Sequence, residues 1–261
     1  MCVAKDIFTM SYPDFVAFIG QDNTPPGAHQ TIENWIGMCD LSRDSLLLDL
    51  ACSTGFSSRS VWSLTGVNAF GIDQSHHAVQ EATKRAKRAG ASGQLNYLLS
   101  NAVSLPFEDG TFTHILAGGC FGFIQERQEA LKECRRVLAK DGLLAIATFY
   151  YRSRPPDALL SRVAQSIGYR PDPVRDLKYW RDFYLRESFV RIAQQGYDLH
   201  VQNSSAVTTA VESFVYENSE SLRRYTPGVR AACFQRLNKI RLILNEHRRY
   251  QGYSVEVWKY T

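Results

Sequence analysis

Between residues 45 and 150, short apolar runs alternate with helical stretches, and this alternation restricts the chain more than any other feature. The runs are Leu46-Leu47-Leu48-Asp49-Leu50, Val67-Asn68-Ala69-Phe70-Gly71-Ile72, Leu95-Asn96-Tyr97-Leu98-Leu99, Phe112-Thr113-His114-Ile115-Leu116 and Leu143-Leu144-Ala145-Ile146-Ala147-Thr148. Residues 76–89 place Val79, Ala82 and Ala86 on one helical face, and residues 126–139 do so with Leu131, Cys134 and Leu138. Strands joined by intervening helices require right-handed crossovers and a parallel sheet. Near-continuous apolar strands need cover on both faces. The reading is an α/β fold.

After Tyr151 the pattern changes. Arg152-Ser153-Arg154-Pro155-Pro156-Asp157 is a break, followed by a helix near 157–168 and an aromatic stretch at 179–184. Residues 185–195 read as a helix closed by Gly196, and 197–201 as a sixth strand. Residues 208–249 read as mostly helical, with Phe234, Leu237, Ile240 and Leu244 on one face, and 253–260 alternate as a last strand.

Composition excludes several classes. With 44% hydrophobic and 21% charged residues, the chain is that of an ordinary globular protein. A net charge of +4 is too small and dispersed to call for nucleic acid or a membrane surface. The run Lys84-Arg85-Ala86-Lys87-Arg88 reads as a solvated helix end. Six cysteines (Cys2, Cys39, Cys52, Cys120, Cys134 and Cys233) without a C-x-x-C pair imply reduced, buried thiols and no metal site. No long apolar segment occurs, so a cytoplasmic location is expected.

The stretch Leu48-Asp49-Leu50-Ala51-Cys52-Ser53-Thr54-Gly55-Phe56-Ser57 runs from a strand through small residues toward a helix, a turn that lets a ligand approach free backbone N–H groups. The second strand ends in Gly71-Ile72-Asp73, an acid placed to accept from ribose hydroxyls. Together they point to an adenosine-containing cofactor. The dinucleotide fingerprint G-x-G-x-x-G would hold Ala51, Ser53 and Phe56 at its glycine positions, and no G-K-[ST] occurs.

With these residues the chain resembles the class I S-adenosylmethionine-dependent methyltransferases, in particular the small-molecule, quinone-methyltransferase-like group. Four motifs carry the likeness in order: Leu48–Gly55, Gly71-Ile72-Asp73-Gln74-Ser75, Asn101–Phe112 (N-A-V-S-L-P-F-E-D-G-T-F) and Ala130–Gly142 (A-L-K-E-C-R-R-V-L-A-K-D-G). Ala51 and Ser53 stand where glycines are usual, Asn101 replaces an Asp, and Asp141 replaces a proline.

The resemblance implies a Rossmann-like, seven-stranded, mostly parallel sheet with an antiparallel last strand and a helical cap. The implied organisation is an N-terminal helical lid (1–40), a cofactor-binding core (41–150), a cap helix and sixth strand completing it (151–205), and a helical substrate insert with the final strand (206–261). It also implies S-adenosyl-L-methionine as cofactor, held by Asp49, Ala51, Cys52, Ser53, Gly55, Asp73, Gln74, Asn101, Ala102, Gly118 and Gly119. Within that set the bend faces the methionine part, Asp73 holds the ribose and Asn101-Ala102 meet the adenine edge. Gly118-Gly119 run beside the methionine carboxylate and amine.

Methyl transfer is an in-line displacement needing alignment and exclusion of water, with a base only where the nucleophile must lose a proton. The position after the fourth strand, often His in this group, is Phe123 here, so no general base is evident. The substrate is expected to be a small organic molecule of specialised metabolism, methylated on nitrogen or, next in order, oxygen. Substrate-side candidates are Phe18, Phe121, Phe123, Tyr150, Tyr184, Tyr216, His247 and Tyr250, with Asp14 and Glu217 as further polar ones. Of these, His247, Tyr250 and Phe123 are the candidates for a catalytic role. No nucleic-acid or membrane partner and a monomer or homodimer are expected. The alternatives are a non-catalytic or regulatory methyltransferase-fold binding protein, or a sulfonium-dependent enzyme that does not methylate.

Overall fold

The computed structural model describes residues 4–260, so Cys2 lies outside the described residues. In chain order the helices and strands are α1 (Asp6–Thr9), α2 (Tyr12–Phe18), α3 (His29–Cys39), β1 (Leu46–Leu50), α4 (Phe56–Thr65), β2 (Asn68–Asp73), α5 (His76–Arg88), β3 (Leu95–Leu99), β4 (Phe112–Gly118), α6 (Arg127–Val137), β5 (Leu138–Tyr151), α7 (Asp157–Ile167), α8 (Leu177–Leu185), β6 (Phe189–Asp198), α9 (Ser204–Ser213), α10 (Pro227–His247) and β7 (Gln251–Tyr260). The sheet order is β3-β2-β1-β4-β5-β7-β6, with β7 antiparallel to both neighbours and the other pairs parallel. This is the Rossmann-like sheet, and the strand order reverses between β1 and β4. Ligands of such sheets sit beyond the C-terminal strand ends at that reversal.

Each face of the sheet is buried by its own side chains. Leu48, Leu50, Ile115, Leu144 and Ile146 pack toward α6 and α8, whereas Leu47, Ala69, Leu116, Ala145 and Val257 pack toward α3, α4 and α5. Burying each large side chain contributes about 1.5–3 kcal/mol, so both layers hold the strand ends rigidly. Helix starts are set by side-chain caps. Ser11, Ser75, Asp176, Asn203 and Thr226 each accept a backbone N–H of the first turn.

The N-terminal helices do not stand alone. Ile7, Phe15 and Ile19 share an apolar cluster with Val211, Val215, Leu222, Cys233, Leu237 and Ile240, so α1, α2, α9 and α10 form one cap over the sheet's C-terminal edge.

Two expectations are corrected. Residues 185–195 are not a helix: the chain turns at Ser188 (φ 63°), and Phe189–Asp198 is strand β6, paired with β7. The sixth strand therefore starts before residue 197. Its exposed Val190 and Ile192 are β-branched residues that favour a strand, a preference the helical reading passed over. The basic run of α5 is not uniformly solvated either, because Arg85 turns inward and ion-pairs with Asp22 and Glu81. Among the described residues no helix is long and apolar enough to cross a membrane.

Candidate active site

The bend after β1 is built from left-handed residues. Ala51 (φ 52°), Ser53 (φ 48°) and Gly55 (φ 75°) alternate with ordinary ones, and only the last is glycine. For Ala and Ser that conformation costs on the order of 1–2 kcal/mol each. The surroundings enforce it: Cys52 N–H donates to the Ile72 carbonyl at 2.8 Å, and Ser53 N–H donates to Asp73 Oδ2 at 2.9 Å. Ser53 Oγ is buried without a hydrogen-bond partner among the described residues. Asp73 Oδ1 accepts from Ser75 N–H at 2.8 Å, and burial raises the carboxyl's pKa despite these donors. A carboxylate offers about four acceptor positions, so Asp73 retains capacity for further donors.

Beneath the bend lies a polar stack that the sequence did not reveal. Asp49 is 3% exposed and accepts from Ser58 N–H (3.0 Å) and Ser58 Oγ (2.7 Å), while the Ser58 and Tyr97 hydroxyls lie 3.0 Å apart. Burial pushes the Asp49 carboxyl up to about 6. The Tyr97 ring fills the space under two glycines. A methyl group at Gly55 or Gly71 would stand 2.6 Å from Tyr97 atoms. Asp49 and Cys52 thus support the bend from below: Asp49 is spent on Ser58, and the Cys52 side chain is buried against Gly71.

The rim residues behave differently. Gln74 and Asn101 are exposed, and Ala102 is buried in the core. The Asn101 side-chain carbonyl oxygen accepts from Val103 N–H at 3.1 Å.

The N-terminal segment is fastened to this bend. Asp22 pairs with Arg59 at 2.9 Å and with Arg85, and Thr54 Oγ1 reaches it at 3.4 Å. Pro25 and Pro26 pass over Gly118 and Gly119 so closely that a methyl at Gly118 would lie 3.0 Å from Pro25. Asp14 Oδ1 accepts from Ser75 Oγ at 2.6 Å beside Asp73.

Beyond β4 and β5 a second group converges. Tyr151 at the end of β5 and His247 at the end of α10 share a hydrogen bond of 2.8 Å between the phenol oxygen and Nε2. His247 is 3% exposed and burial lowers its pKa to about 4, so it stays neutral. Tyr151 N–H donates to the Arg175 carbonyl, and Arg175 Nη1 donates to the Gly122 carbonyl at 2.8 Å. This ties the loop after β4 to the end of β5. Phe123, 52% exposed, leans on Tyr169 with centroids 5.1 Å apart.

The structure does not gather all the substrate-side candidates. Phe121 and Tyr184 are core residues, 2% and 0% exposed, packed with Phe183 under α8. Tyr216 lies on the outside of the cap beneath the Arg230 guanidinium, and Glu217 is exposed beside it, bonded to Ser213. Phe18 on α2 meets Tyr225 within the cap, the rings tilted with centroids 4.9 Å apart. Tyr250 packs beside Leu159 and Val163, whereas Tyr150 lies under Gly252. Phe123, His247 and Tyr151, with the unforeseen Tyr169 and Arg175, form the coherent set.

The comparisons agree with this geometry. Residues 48–146 match the family of methyltransferase domains. The crystal structure of the MccD protein superposes with a TM-score of 0.80 at 38% identity, covering 92% of this chain and 100% of that one. An O-methyltransferase of Aspergillus nomiae, rstn1, is 30% identical over 51% of this chain and 60% of its own length. Norajmaline N-methyltransferase of Rauvolfia serpentina is 29% identical over 43% of this chain and 38% of its own. The chain thus spans less than two thirds of these two curated relatives. With strand order, bend, acid and matched relatives in agreement, the chain belongs to the class I S-adenosylmethionine-dependent methyltransferase family.

Proposed function

We propose that the chain transfers a methyl group from S-adenosylmethionine to a small organic molecule in specialised metabolism, to nitrogen first and oxygen next. The observation that carries this is the left-handed bend 51–55 with the unpartnered Ser53 Oγ, closed against the Asp73 carboxylate. The curated relatives act on nitrogen and on oxygen, by their names. Five buried free cysteines support a reducing, cytoplasmic setting. We take the working unit to be a monomer or homodimer.

The residues fit the cofactor. Ala51, Ser53 and Gly55 would offer the bend to its methionine part, Asp73 would accept from ribose hydroxyls, and Gln74, Asn101 and Ala102 would border the adenine. Gly118 and Gly119 let Pro25 and Pro26 close over the reversal point, where the glycine backbone would border the methionine carboxylate and amine. When bound, the sulfonium supplies an activated methyl group. The chain's own work is alignment and dryness: Asp22 holds the lid on the bend through Arg59 and Arg85, and Phe123 and Tyr169 wall the acceptor side. The place after β4 carries Phe123, which can neither take nor give a proton. His247 is neutral and bonded to Tyr151, so we assign this pair the role of orienting a polar group of the acceptor.

The test uses cofactor labelled in its methyl carbon and a set of amines, phenols and acidic carbons. Label in the acceptor together with S-adenosylhomocysteine supports methyl transfer. Conversion of acceptor with the label retained on sulfur supports the non-methylating alternative and overturns this reading.

A further inference from the structure

A cavity of about 340 Å³ lies between the N-terminal segment and the helical insert. Its walls come from Gln21 on the lid, Gln202 after β6, and the facing sides of α9 and α10. Two of its lining residues are arginines, Arg241 and Arg248, and none is a carboxylate. They stand seven residues apart, two helical turns, so they share one face of α10 and its extension. Most other arginines that line the chain's surface have a carboxylate within reach, for example Arg59, Arg85, Arg136, Arg162 and Arg170. Arg241 and Arg248 have no ion pair and no side-chain hydrogen bond among the described residues. The two guanidinium groups repel one another and are half-buried, and both effects lower the pKa of Arg248.

Placing two unneutralised cations beside a cavity disfavours the empty form, and a doubly charged oxyanion removes that penalty. The planar forks of two arginines match a tetrahedral oxyanion with paired N–H donors, and the Gln21 amide adds a neutral donor from the lid. Val207, Ala210, Val211, Phe214, Leu237 and Leu244 make up the apolar part of the wall, with Gln202 and Asn245 beside them. Asn245 is not available to a ligand, because it bonds the Gln202 backbone in both directions and fixes the loop after β6.

We infer that this cavity binds a phosphoryl group carried on an apolar or aromatic body, and that such a phosphorylated molecule is the substrate class of the site. The assignment rests on the proposed function for the word substrate, since the cavity itself needs only the two arginines. Gln21 adjoins Asp22, which pairs with Arg59 and Arg85 beside the bend, so an occupant touching Gln21 also bears on the lid.

The test titrates inorganic phosphate into the full chain at constant ionic strength, followed by calorimetry and thermal shift, with acetate as a second arm. Saturable phosphate binding is expected in the wild type, at least tenfold weaker in both Arg241→Gln and Arg248→Gln. Arg249→Gln, an exposed neighbour, is expected to keep it, and Arg248→Lys to keep part of it. S-adenosylmethionine binding, measured on the same samples, shows that each variant is folded and whether the cofactor reading stands by itself. Unchanged phosphate affinity in the two Gln variants, absence of binding in the wild type, or tighter binding of acetate than of phosphate each overturns the inference.

Discussion

The Ser53 N–H and the Asp73 carboxylate are joined at 2.9 Å, so the bend after β1 and the end of β2 are one unit. The bond holds Ser53 at φ 48° and turns the carboxylate toward the bend. It explains how the chain keeps a glycine-type bend with Ala51 and Ser53 in place of glycine. The strain is local, and hydrogen bonds to the neighbouring strand hold it.

That strain predicts a gain from glycine. Ala51→Gly and Ser53→Gly each relieve a left-handed side chain and are expected to stabilise the fold by about 0.5–1 kcal/mol, net of the entropy of the added glycine. Urea titration measures it. A loss of stability in both variants would show that the bend is not strained.

Gly71 has the opposite expectation. Its added methyl would meet the Tyr97 ring at 2.6 Å and Cys52 Sγ at 2.9 Å, both buried. Gly71→Ala is expected to destabilise by about 1–3 kcal/mol. The double variant Gly71→Ala with Tyr97→Ala should recover part of the clash term, read from a double-mutant cycle.

Acid sensitivity follows from His247. Its pKa falls from 6.5 in the unfolded chain to about 4 in the fold, so the unfolded state takes up the proton first. The neutral imidazole's contribution is complete above pH 6.5 and is lost as pH falls toward 4, up to about 3 kcal/mol. Asp49 works the other way over an overlapping range, because its raised pKa makes the fold bind the proton more tightly as pH falls. The wild-type curve is therefore a difference of the two. His247→Asn should lose the His247 component, and subtracting its pH–stability curve from the wild type isolates it. A flat difference between pH 7 and 4 contradicts the burial argument.

The lid prediction concerns Asp22. Its side chain is 39% exposed, so the global effect of Asp22→Asn is expected to stay within about 1 kcal/mol. Locally it joins Arg59, Arg85 and Thr54, and its loss should speed amide exchange in residues 16–23 and 53–59. Faster cofactor dissociation, several-fold by stopped flow, is expected with it. Unaltered exchange in both segments would mean the ion pairs do not fasten the lid.

The core of the fold was legible because burial on both sides of a parallel sheet leaves a continuous apolar run, as in β1, whose limits match the sequence reading. β6 was not legible. It is an edge strand with most side chains exposed and only Phe189 buried, and a polar, Gln-rich edge resembles a helix surface. Asp73 and the small-residue bend were visible because their spacing is local. Arg175, Arg241 and Arg248 were not, because they meet partners or a cavity only through the folding of the cap onto the sheet. Phe121 and Tyr184 looked like site aromatics for the same reason: composition does not say which face of a helix or turn is covered.

The most direct test of the account is calorimetric titration of S-adenosylmethionine and S-adenosylhomocysteine into wild type and Asp73→Ala. The account predicts single-site binding to the wild type and a loss of tenfold or more in Asp73→Ala, about the 1.5–3 kcal/mol of a charged hydrogen bond, with the fold kept but less stable because the Ser53 and Ser75 N–H groups lose their acceptor. No binding to the wild type, or equal affinity in the variant, contradicts it.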